Sequence, residues 1–107
     1  MTDISTSTET ETVTKIEPNL SVKEPPLFKV IYINDNKTSM QFVMESLISS
    51  FSYDQVPAEK ITNDINSQGS AIVAVLPYEI AEQKGIEVTI KARSNGFPLQ
   101  IKLEADE

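Results

Sequence analysis

LFKVIYINDNKTSMQFVMESLISSF, residues 27–51, is written in two halves with a break between them. Leu27, Phe28, Val30, Ile31, Tyr32 and Ile33 are mostly β-branched or aromatic, the composition of a strand. Asn34-Asp35-Asn36 stops the run with turn formers. Thr38 with Gln41 three residues on reads as a capping box. Met40, Val43, Met44, Leu47, Ile48 and Phe51 then recur at steps of three and four, one apolar stripe on a helix.

Working outward, a second helix is expected from near Asp54. The Asp is placed to cap it, and Pro57 is tolerated because it falls in the first turn. Ile61 and Ile65 mark its buried side, and Gly69 sits where a C-terminal cap belongs. Ala71 to Leu76 is a short apolar run, read as a central strand. Pro77 opens a third helix, with Ile80, Ala81, Val88 and Ala92 toward the core. Gly85 inside that helix costs about 1 kcal/mol relative to Ala. Asn95-Gly96 ends it, and Leu99, Ile101 and Leu103 alternate with polar residues in a last strand. The order β-α-α-β-α-β implies an α+β sandwich of two layers, three strands with helices on one side. Residues 27–107 are expected to form the one domain. Residues 1–26, rich in Thr, Ser and Glu, are expected to be a disordered arm, because they cannot bury enough apolar surface to offset their ordering entropy.

Composition narrows the chemistry. The chain has 107 residues, 39% of them hydrophobic, enough for one modest core. Neither cysteine nor histidine is present, so the usual zinc, haem and iron–sulfur ligand sets cannot be assembled, nor can a Ser/His/Asp or Cys/His catalytic unit. No metal, no cofactor and no enzyme activity are expected. A net charge of −7 disfavours nucleic acid and anionic membrane surfaces and favours a cationic ligand. No apolar run approaches the roughly 20 residues that span a bilayer. The first residues have neither a basic start nor an apolar stretch, so the protein is expected to stay in the cytoplasm.

Three features are candidates for function. Asn34-Asp35-Asn36 reads first as a turn; read for function, it is a cluster of side-chain oxygens able to hold an ammonium group, since an ionised Asp is acceptor-only and Asn offers a carbonyl. Glu79 and Lys84, five apart on the third helix, read as part of a solvated polar face. Met40 and Met44 are core fillers or, if one faces outward, pocket lining.

The stretches PPLFKVIYINDNKTSMQFVMESL, FSYD, NSQGSAIVAV, YEIAEQK and ARSNGFPL, in this order and spacing, resemble ClpS, the adaptor family of the bacterial N-degron pathway. The resemblance runs over about residues 25 to 104. It implies a three-stranded antiparallel sheet with three helices. It implies a protein that binds the N-terminal residue of its clients and delivers them to the ClpA unfoldase of the ClpAP protease. Position by position, it implies that Asn34 and Asp35 bind the client's α-amino group. It implies a side-chain pocket of Thr38, Met40, Val43, Thr62, Ile65 and Leu99, with Met40 as gatekeeper against β-branched residues. Clients would begin with Leu, Phe, Tyr or Trp. Glu79 and Lys84 would dock on the N-terminal domain of a ClpA-type AAA+ unfoldase, and residues 1–26 would assist transfer into its pore.

Two positions depart from the family pattern. Asn66 stands where the family has a histidine that also contacts the α-amino group. The Asn oxygen falls near the ring's closer nitrogen but does not reach the position of the farther one. Thr62 stands where a methionine or another large apolar residue is common, which opens the pocket or makes it more polar. These departures keep a second reading alongside the first: a ClpS-like regulator that docks on the unfoldase without binding N-degrons.

Overall fold

The structure, a computed structural model, describes residues 25–107. The reading of residues 1–26 as an arm falls, except for Pro25 and Pro26, outside the described residues. Branching at Cβ favours extended backbone, and Leu27–Ile33 forms β1. Met40–Phe51 forms α1, Gln55–Gln68 α2, Ser70–Pro77 β2, Tyr78–Ser94 α3 and Gln100–Ala105 β3. The sheet is antiparallel in the order β2-β1-β3. The expected β-α-α-β-α-β sandwich of three strands and three helices is the fold observed.

The apolar run 71–76 is an edge strand, not the central one; β1 holds the centre and pairs on both sides. β2 is apolar on both faces although only one is covered. Val73 is buried, whereas Ile72 on the other face is 52% exposed. The pairing slips by one residue between Val30 and Ile31, a bulge that changes which β2 side chains face the helices.

The core joins Val30 and Tyr32 of β1, Val73 of β2, Val43 and Leu47 of α1, Ile65 of α2, and Ala81, Val88 and Ala92 of α3. Small residues bring α3 close to the sheet along Ala81, Gly85, Val88 and Ala92. Ile80, expected on this side, is exposed, because it lies about 100° round the helix from Ala81. The buried face of α1 is also turned from the expected stripe. Val43, Ser46, Leu47 and Ser50 are buried, while Met40 and Ile48 are exposed. The serines can be buried because their hydroxyls are bonded. Ser46 Oγ donates to the Val43 carbonyl and pairs with Tyr32 Oη at 2.8 Å, and Ser50 Oγ donates to Glu87 at 3.1 Å. Burial of Tyr32 among these groups pushes its phenol well above the ordinary range.

Three termini differ in detail from the sequence reading. Ser39, not Thr38, caps α1, its hydroxyl accepting from Phe42 N at 3.1 Å. Asp54 occupies the N-cap of α2 without a side-chain capping bond. Pro77 closes β2 and stands at the N-cap of α3, whose first helical residue is Tyr78. Gly69 ends α2 at φ 91°, a conformation that strains any other side chain, and its N–H bonds to the Ile65 carbonyl.

Candidate functional site

The sheet delivers Asn34 to one end of the molecule. Its backbone N–H donates to the Gly69 carbonyl at 2.8 Å, which ties the end of β1 to the cap of α2 and so sets Ile65 and Asn66 beside it. The next residues form a side-chain-closed turn. Asp35 Oδ1 accepts from Lys37 N and Thr38 N, both at 2.7 Å, and Asp35 Oδ2 accepts from Thr38 Oγ1 at 2.7 Å. Thr38 therefore serves this turn, which frees Ser39 for the helix cap.

On the opposite wall, Leu99 is held by the connection between α3 and β3. Phe97 packs edge-on against Phe42 of α1, with ring centroids 5.3 Å apart. Arg93 donates to the Phe97 carbonyl at 2.9 Å and to the Leu99 carbonyl at 3.0 Å.

Asn34, Asp35, Thr38, Met40, Val43, Thr62, Ile65, Asn66 and Leu99 together line one cavity. All nine residues singled out in the sequence for amine and side-chain binding are thus neighbours in space, drawn from the β1–α1 turn, α1, α2 and the loop before β3. Val43, Thr62, Ile65 and Leu99 make its buried floor, while Asn34 and Asn66 stand exposed at its rim. Thr62 is satisfied locally, its hydroxyl donating to the Ala58 carbonyl at 2.8 Å.

The electrostatics favour a cation. Burial pushes the Asp35 carboxyl upward, but the bonds from Thr38 and Lys37, with Arg93 nearby, more than offset it and hold its pKa below the usual value. A carboxylate has about four lone-pair sites. Three donors already use Asp35, which leaves Oδ2 room for one more. Among the described residues, neither the Asn34 nor the Asn66 side-chain amide has a hydrogen-bond partner.

The cavity is narrow. The space open to the centre of a water-sized sphere is about 10 Å³, room for about one water. A larger guest must displace a wall, and Met40 is the adaptable one, unbranched and 45% exposed.

Glu79 and Lys84 are elsewhere. Both lie on α3 away from the cavity, roughly 140° apart round the helix axis at five residues' spacing. They flank a surface that carries Ile80, Gln83 and Glu87, and they form no ion pair with each other. Arg93 is the participant that the sequence reading passed over. With Lys91 it is one of two cations in the last turn of a helix, where basic residues are common for dipole reasons alone, and only the return of the chain shows its carbonyl partners.

Comparison with known proteins agrees with this fold. Residues 23–102 match the family described as ATP-dependent Clp protease adaptor protein ClpS. The ClpS adapter protein of Clostridium acetobutylicum is 40% identical over 88 residues, which cover 82% of this chain and 87% of that protein. The ClpS adapter of Treponema denticola is 41% identical over 81 residues, 76% of this chain and 80% of that one. A solved structure, Agrobacterium tumefaciens ClpS2 bound to L-phenylalaninamide, superposes with a TM-score of 0.75 at 32% identity, covering 78% of this chain and 100% of the other. On fold, extent of match and identity alike, the chain belongs to the ClpS family of Clp protease adaptors.

Proposed function

We propose that this adaptor binds the N-terminal residue of N-degron clients in the Asp35 cavity and delivers them to a ClpA-type unfoldase of the ClpAP protease. One observation carries the reading. A carboxylate with one vacant acceptor position and two amides without partners among the described residues stand at a cavity whose floor is mostly apolar. A protein α-amino group, with a pKa near 8, is mostly cationic at neutral pH. It would donate to Asp35 Oδ2 and to the Asn34 and Asn66 carbonyl oxygens in charge-assisted bonds. Met40 would swing aside for the first side chain, whose burial against Val43, Thr62, Ile65 and Leu99 is worth roughly 1.5–3 kcal/mol for Leu or Phe. An acetylated terminus lacks the cation and leaves the acceptors unpaired, so it is rejected. L-Phenylalaninamide, the ligand of the related structure, is a small molecule with a free α-amine and an aromatic first side chain. Preferred clients begin with Leu, Phe, Tyr or Trp. Glu79 and Lys84 are the proposed contacts with the unfoldase N-terminal domain, and they leave the cavity open to a client. Residues 1–26 are proposed to aid transfer, residues 27–107 being the binding domain. An adaptor of this kind works in the cytoplasm.

The test is fluorescence anisotropy of labelled peptides beginning with Leu, Phe, Val and acetyl-Leu. Micromolar or tighter binding of Leu and Phe alone, lost in Asp35→Ala, is the expected result. A second reading rests on Asn66 and on the one-water cavity: a regulator that docks on the unfoldase and binds no N-terminus. Silence from all four peptides, with inhibition of other clients' degradation, would establish that reading instead.

A further inference from the structure

Next to the candidate site a second cleft, of about 340 Å³, opens between α1 and α2. It is lined by Met40, Gln41, Met44, Glu59, Thr62 and Asn63. Met40 and Thr62 line both spaces, so the two are separated by side chains rather than by backbone. The amine-binding arrangement does not use this cleft. Its inner wall is the two methionines, an apolar and adaptable surface. Its rim is polar, with Gln41, Glu59 and Asn63 exposed. Glu59 forms no ion pair among the described residues, although the neighbouring Lys60 is paired with Asp64 at 3.1 Å. An apolar wall ending at an unpaired carboxylate fits an aliphatic stem with a cationic tip.

We propose that this cleft receives a lysine or arginine side chain at the second or third position of a client, with Glu59 as the residue that selects it. The inference rests on the Asp35 cavity holding the first residue. An extended chain advances about 3.3 Å per residue, so the second and third residues lie within roughly 7 Å of the first. The shared Met40–Thr62 wall puts the cleft within that reach of a long side chain. The small Thr62 keeps the wall between the two spaces thin, where a larger residue would thicken it.

The experiment uses the full chain and labelled peptides beginning Leu-Ala-Ala, Leu-Lys-Ala, Leu-Ala-Lys and Leu-Glu-Ala, titrated at low salt. At least one lysine peptide binds about two- to five-fold tighter than Leu-Ala-Ala, the range of an exposed ion pair. Glu59→Gln abolishes that gain and leaves Leu-Ala-Ala unchanged. Glu59→Lys transfers the preference to Leu-Glu-Ala. Glu104→Gln, on β3, makes the same change in net charge and keeps the gain. A lysine gain that survives Glu59→Gln, or that falls equally in Glu104→Gln, would show attraction to the whole acidic protein and overturn the proposal. Equal binding of all four peptides overturns it while leaving the first-residue pocket intact. Silence from Leu-Ala-Ala as well removes the pocket and this inference together.

Discussion

Asp35 is held by its own turn before any ligand arrives, and that has a consequence in pH. Its pKa lies below the ordinary value because the bonds from Thr38 and Lys37, helped by Arg93, outweigh burial. A lowered folded value means that the carboxylate contributes stability above about pH 4, lost as the pH falls through the folded pKa. For peptide binding the same sign applies at the acid end, and the amine sets the alkaline end. Affinity for a Leu peptide is therefore expected to be flat from about pH 4 to about pH 7 and to fall as the α-amine deprotonates near pH 8. Thr38→Val, which removes the Oγ1 donor, moves the acid limb upward. An anisotropy titration across pH checks both, and a loss of affinity centred near pH 6 would exclude Asp35 as the ionised partner. Asn66→His tests the departure from the family pattern at residue 66. A ring reaches farther over the rim than an amide, and affinity for the Leu peptide is expected to rise several-fold, the scale of one added hydrogen bond. Unchanged affinity would place residue 66 outside the contact. The sequence pattern of Asn34-Asp35-Asn36 is that of any turn. What separates a site from a turn is the count of lone pairs left over, and that requires knowing that Thr38 bonds back to Asp35 rather than capping α1.

Elements place these residues, and most of them were legible. The strand at 27–33 and the helix after it follow from side-chain branching and from three- and four-residue spacing, both local properties. What the sequence did not disclose was tertiary. The buried face of α1 includes Ser46 and Ser50, because Tyr32 and Glu87 supply hydroxyl partners from other elements. β2 looked central because it is apolar on both faces, yet it is an edge. Gly85 shows how such facts become measurable. A Cβ there would meet only Ile101 Cγ2, at 3.7 Å, an ordinary contact. Gly85→Ala should therefore stabilise the fold by about 0.5–1 kcal/mol, through helix propensity and a smaller unfolded ensemble. Urea unfolding measures it, and destabilisation would mean that α3 sits closer to β3 than described. Arg93 tests the opposite wall. Arg93→Met keeps the stem but strips the donor from the carbonyls of Phe97 and Leu99. It is expected to cost about 1–2 kcal/mol of stability and to weaken Leu-peptide binding by loosening Leu99. Stability lost without any change in affinity would detach Arg93 from the site.

At the scale of the whole molecule, the cavity is where separate parts of the chain meet. The β1–α1 turn, α1, α2 and the loop before β3 each supply at least one wall. A guest there touches elements far apart in sequence, so it cannot bind the unfolded chain in the same way, and its binding stabilises the fold by RT ln(1 + [L]/Kd). At a free ligand concentration of 100 times Kd that is about 2.7 kcal/mol. For a domain of this size, with a melting temperature that moves 4–8 °C per kcal/mol, the shift is roughly 10–20 °C. L-Phenylalaninamide is expected to produce such a shift in a thermal melt, and N-acetyl-L-phenylalaninamide at the same concentration to produce none. The pair differ only at the amine, so the comparison isolates the contribution of Asp35, Asn34 and Asn66 from that of the apolar floor. Equal shifts from both would make this a general hydrophobic cavity. No shift from either, with the unfoldase still bound through α3, would mean that the one-water cavity does not open and that the adaptor fold is kept here for docking alone.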